Sequence, residues 1–98
     1  MVYDLDCRYD GAKSFYGKAK VEVHDGEESL ISYTTLVAKI TMVHDDDPEN
    51  GPSENDLVRK AIVYGTYSPT TLRHIKEFLR QAGFKAETKS QIIEDYME

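Results

Sequence analysis

Residues 17–43 read GKAKVEVHDGEESLISYTTLVAKITMV, and their first ten residues decide the fold. Ala19, Val21 and Val23 alternate with Lys18, Lys20, Glu22 and His24, the period of a strand with one buried face. Asp25-Gly26 follows at once, a dipeptide that tolerates the positive φ of a tight hairpin turn, so a hairpin is predicted here. The returning strand is predicted from Ser29 to as far as Val43, rich in β-branched and aromatic residues. Fifteen residues exceed the usual strand length of about 5 to 6, so a bend or bulge is expected near Ser32 to Thr35.

Toward the N-terminus, Tyr3, Leu5, Cys7 and Tyr9 alternate with Asp4, Asp6 and Arg8, which predicts a strand over 2–9 ended by Asp10-Gly11. On the other side, residues 44–56, HDDDPENGPSEND, hold two prolines, one glycine and six acids and read as an exposed loop. Leu57 to Tyr64 reads as the next strand.

Beyond Gly65-Thr66-Tyr67 the period becomes helical. Ser68 is placed as N-cap and Pro69 as the first helical residue; Leu72, Ile75, Phe78, Leu79 and Ala82 form the apolar stripe, and Gly83 ends it. Arg73, Lys76, Glu77 and Arg80 are assigned to the outward side. Thr88 and Gln91 match a capping box for a short last helix from Lys89 to about Met97. The expected fold is α+β: an antiparallel β-sheet of about four strands followed by two helices packed on one face, in a single domain, 1–98.

Charge is distributed unevenly. Residues 1–56 carry 13 acidic and 5 basic side chains, whereas residues 57–98 carry 5 acidic and 7 basic. An acidic surface repels phosphates and attracts basic protein surfaces, which favours a basic protein partner over direct nucleic-acid binding. No apolar run approaches the roughly 18 residues needed to cross a bilayer, and the start, MVYDLD, lacks the basic and apolar stretches of a secretion signal, so a cytoplasmic location is expected.

The residues admit two metal readings. Asp45, Asp47, Glu49 and Asp56 fall at the first, third, fifth and twelfth places of a calcium loop, but Asn50 stands where glycine is required and the flanks read as strands. A solvated acidic loop is the better reading. Cys7, His24, His44 and His74 supply the four ligands of a closed zinc site, though their spacing matches no finger or ribbon. Zn2+ is therefore a candidate cofactor, against separate roles for the four: Cys7 as a core residue, His24 and His44 as surface residues, and His74 at the core edge.

Catalysis finds no support in the residues. Cys7 is the only thiol, and Asp4, Asp6 and Asp10 beside it would raise its pKa rather than activate it. No nucleophile elbow or cofactor fingerprint is present, so the chain is not expected to be an enzyme. Seven tyrosines with no tryptophan stand out; about half or more are expected at the core or its edge, and Tyr64 and Tyr67, flanking the turn into the first helix, are candidate partner anchors.

SFYGKAKV (14–21), LISYTTLVAKI (30–40) and YSPTTLRHIKEFLRQAGF (67–84) together resemble small proteins encoded by phages and prophages of Gram-positive bacteria. In size and charge the chain is similar to anti-CRISPR proteins of such prophages. That resemblance implies an inhibitor acting in the host cytoplasm on a type II CRISPR effector nuclease, whose positively charged nucleic-acid channel suits an acidic ligand. On this analogy Asp45, Asp46, Asp47, Glu49, Glu54 and Asp56 are the electrostatic contacts. The alternative is a phage accessory or adaptor protein, monomeric or homodimeric, that meets another protein through its sheet edge or first helix. A third reading makes Arg73, Lys76 and Arg80 a nucleic-acid contact.

Overall fold

A computed structural model describes residues 1–47, 51–65 and 68–97, with side chains described for 1–43, 57–65 and 68–97. Five strands, β1 (Val2–Asp4), β2 (Ala19–His24), β3 (Glu27–Ser32), β4 (Thr35–Asp47) and β5 (Gly51–Val63), precede two helices, α1 (Pro69–Gln81) and α2 (Lys89–Tyr96). The strands form one antiparallel sheet in the order β1-β2-β3-β4-β5. This is the expected α+β fold, with one strand more.

The extra strand comes from residues 29–43, which reverse direction instead of bending. Ser32 pairs with Thr35 across a two-residue turn. Tyr33 takes φ +59° there, and its N–H donates to the Lys18 carbonyl at 2.7 Å. A turn built on tyrosine in the left-handed region carries none of the glycine or asparagine that advertises such a turn. A bulge follows: Leu30 pairs with Ala38 and Ile31 with Leu36, leaving Val37 as the extra residue. By contrast, Asp25 and Gly26 take φ +50° and +80° and close the β2–β3 hairpin as expected.

Two further boundaries differ. The first strand stops at Asp4 instead of residue 9, because the backbone of residues 8–10 turns to α1. Residues 44–56 are mostly strand rather than loop: Asp46 pairs with Pro52 and Asp47 with Gly51, past a bulge between His44 and Asp46. Pro52 is compatible with this because β5 is an edge strand, where a missing N–H breaks no inner ladder.

Both helices cover the face that carries Ala19, Val21, Leu30, Ile40, Ala61 and Val63. Ile75, Phe78 and Leu79 of α1, with Ala86 and Ile92, complete the buried core. The Ser68 hydroxyl accepts from the Thr71 amide at 3.1 Å and caps α1 behind Pro69. Thr88 caps α2 in the same way, but the Gln91 side chain returns to the Glu87 amide rather than to that of Thr88. The capping box is thus shifted by one residue.

Candidate functional site

Strands β4 and β5 outrun the sheet. The pairing of β3 with β4 ends at Glu28 with Ile40, whereas β4 and β5 stay paired from Ala38–Val63 to Asp47–Gly51. Residues beyond Thr41 therefore form a two-stranded arm about 20 Å long at about 3.3 Å per residue. At its base Met42, Leu57 and Val58 are exposed apolar side chains. Along it the backbone carries Asp45, Asp46 and Asp47 on β4 and Glu54 and Asp56 on β5. Their side chains, together with Glu49 and Tyr67, lie outside the described residues.

Tyr64 is exposed and donates its N–H to the Val37 carbonyl at 2.9 Å. It follows the C-terminal end of β5, the acids lie toward the N-terminal end, and about 40 Å of strand lies between the strand ends. Tyr64 thus lies just beyond the C-terminal end of β5, and Glu54 and Asp56 lie in its N-terminal half.

The candidate zinc ligands are not brought together. His24 lies beside the β2–β3 turn, exposed and 3.2 Å from Asp25. His74 is buried, with Nδ1 hydrogen-bonded to the Ser32 hydroxyl at 2.8 Å. Since Glu27 and Ser32 are the two ends of β3, the partners of these histidines stand about 17 Å apart, far beyond a tetrahedral ion's reach. Cys7 packs partly buried against the core, and burial, then Asp10, push its thiol pKa up. The side chain of His44 lies outside the described residues. Among the described residues no group of three or more ligating side chains gathers.

The polar chemistry the structure does assemble lies between residues 6–12 and α1. Glu77, only 1% exposed, accepts at Oε1 from the amides of Arg8, Tyr9 and Asp10 at 3.0, 2.8 and 2.8 Å. The Gln81 amide donates to its other oxygen at 2.7 Å. Three successive N–H groups turned toward one anion form a nest, filled here by the chain's own carboxylate. Beside it, Arg73 donates from two nitrogens to Asp10, and this forked bond lowers the Asp10 pKa from 3.8 to about 2. Glu77 is thus buried where the helical period predicts an outward residue; nothing in its local pattern distinguishes it, because the groups that make burial tolerable come from residues 8–10.

These bonds also bear on the basic helix face. Arg73 is committed to Asp10, and Arg80 donates to the Ala86 carbonyl at 2.7 Å. Two of the three residues offered for nucleic-acid contact therefore hold the fold. Below His74, Ser32 also bonds Thr71 at 3.0 Å, and Phe15 packs edge-on against the imidazole. Burial, then the Arg73 charge, lower the His74 pKa. Although serine and histidine meet here, both are buried, so the pair is a core linkage rather than a nucleophile open to substrate.

A groove of about 290 Å³ runs between β1, β3, β5 and α1, lined among others by Tyr3, Arg8, Glu28, Arg59 and Gln81. Arg59 is spent on Glu28 and the Ala82 carbonyl, each at 3.0 Å, and Arg8 on Asp6 at 3.2 Å. No helix among the described residues is long and apolar enough to cross a membrane. Residues 3–94 match the model of a family of unknown function, DUF8033. No curated protein and no solved structure matches the chain.

Proposed function

The chain belongs to DUF8033, a family of unknown function, and we propose that it is a non-catalytic protein-binding module that presents its acidic β4–β5 arm to a basic protein surface. The observation that carries this is the arm itself: residues 44–56 hold six acids and no lysine or arginine, on strands that project past the sheet. Such a projection concentrates negative charge away from the body and steers encounter with a positive groove. Combined with the resemblance to phage and prophage proteins, the reading becomes a host-defence inhibitor. It acts in the host cytoplasm and occupies the nucleic-acid channel of a type II RNA-guided nuclease. Asp45, Asp46, Asp47, Glu49, Glu54 and Asp56 supply the contacts.

The test is binding of the purified protein to that nuclease with and without guide RNA, at low and moderate salt. Salt-sensitive binding that guide or target nucleic acid displaces supports the reading. If a variant with all six acids replaced by serine or asparagine inhibits cleavage as well as the parent, the acidic-arm mechanism is wrong. A second reading, an adaptor that meets another protein through its sheet edge, draws on β5 being a long outer strand.

A further inference from the structure

The outer edge of β5 offers an interaction more specific than a general acidic surface. Among the described residues its one outer bridge is at Val63, where Met97 pairs in parallel; the residues before it carry no strand on that side. Natural edge strands are usually short or blocked, as β1 is with three residues. β5 is 13 residues long, and with β4 it forms a two-stranded arm, which is marginal in water on its own. Its middle is also apolar and open, with Leu57 48% and Val58 41% exposed and Met42 of β4 43% exposed beside them.

Charge along this edge is ordered. Residues 54–60 read Glu-Asn-Asp-Leu-Val-Arg-Lys: acids, then two apolar residues, then bases. An antiparallel copy centred on Leu57 sets Glu54 opposite Lys60, Asn55 opposite Arg59, Asp56 opposite Val58 and Leu57 opposite itself. Paired positions then have the same parity, so side-chain faces agree across a two-fold axis perpendicular to the sheet. A parallel copy in register would stack acid on acid and base on base.

We propose that the chain forms a symmetric dimer by antiparallel pairing of β5 edges about Leu57, with Glu54 of each copy opposite Lys60 of the other. The dimer joins two arms into a four-stranded ribbon and sets the exposed Leu57 of one copy beside that of the other. It rests on the sheet-edge reading, not on the acidic-arm mechanism, and needs no nuclease for its test. Lys60 is also engaged within its own chain, and a charge swap separates the two engagements.

The experiment is sedimentation equilibrium of the full chain from about 1 μM to about 1 mM, a span that captures affinities useful to a small dimer. The wild type is expected to dimerise. Glu54→Lys and Lys60→Glu alone are each expected to weaken self-association at least about tenfold, since each places like charges opposite one another. An equimolar mixture of the two variants restores dimers, as every cross-axis pair is then complementary, and circular dichroism checks that each variant is folded. A wild type that stays monomeric throughout overturns the proposal. So does a wild-type dimer that both folded variants form equally well, or a mixture no more associated than its components.

Discussion

The Oε1 atom of Glu77 lies 2.8 Å from the backbone nitrogen of Tyr9, and the amides of Arg8 and Asp10 converge on the same oxygen. The nest holds the N-terminal segment against α1 more specifically than apolar packing alone, because it fixes three consecutive backbone groups. Removing the acceptor leaves those donors without a partner. Glu77→Leu is expected to cost about 3–5 kcal/mol, a large part of the roughly 5–15 kcal/mol that stabilises a typical domain. Glu77→Gln keeps an acceptor oxygen and should lose about 1–2 kcal/mol. Urea unfolding of the two variants measures the difference; equal losses would show that the nest does not select for a carboxylate.

His74 and Asp10 both contribute to the acid sensitivity of the fold. His74 has its pKa lowered by burial, so in acid the unfolded chain takes up the proton more readily. Its contribution is complete above the ordinary value of 6.5 and is lost as pH falls below it. Asp10, held near 2 by Arg73, contributes fully above 3.8, and that contribution is lost as pH falls through about 2. The urea midpoint of the wild type should therefore decline below about pH 6.5 and again below about pH 4. Asp10→Asn should lessen the second decline, part of which belongs to Asp6 and Glu27, whose carboxyl pKa values Arg8 and Lys39 also lower, while keeping the first. NMR titration of the His74 ring tests the first directly, and a midpoint above pH 6.5 would contradict it.

Tyr33 tests whether side-chain contacts outweigh backbone strain. Its φ of +59° suits asparagine or glycine better than an L-residue with a large side chain, while its ring lies over His74 and below the Lys18 ammonium. Tyr33→Asn should change stability by less than about 1 kcal/mol, as relief of strain offsets lost contacts. Tyr33→Val, β-branched in the same conformation, should cost about 2 kcal/mol or more. Thermal unfolding of both decides it: similar losses would place the stabilisation in the ring rather than the turn.

The α1 cap gives a local control. Ser68→Ala removes the oxygen that receives the Thr71 amide and the hydroxyl that donates to Thr71 Oγ1 at 3.2 Å. A loss of about 1 kcal/mol in denaturant unfolding is expected; no loss would mean that Pro69 alone sets the helix start.

What the sequence made legible was local. The β2 alternation, the Asp25-Gly26 turn and the Ser68–Gly83 limits of α1 each depend on neighbours within a few residues, and the structure has them as read. The Tyr33 reversal is not legible in the sequence because its backbone amide is satisfied by Lys18, just ahead of β2, not by a turn residue nearby. Residues 44–56 look like a loop by composition, yet backbone pairing between β4 and β5 continues through most of them; composition reports solvation, and solvation does not exclude a two-stranded ribbon. Of the candidate zinc ligands, topology sends His24 and the partner of His74 to opposite ends of β3.

The Glu77 nest also has a consequence for synthesis. Its partners are separated by 67 to 69 residues, and the Arg73–Asp10 bond by 63. A chain emerging from the ribosome can form the β2–β3 hairpin early, since that pairing is short-range. Residues 8–10 must wait with three amides facing water until α1 has been made. Residues 8–10 are therefore among the last to settle, although β1 can pair with β2 earlier, and a ribosome stalled before residue 77 would hold a nascent chain in which this segment is still open to proteases.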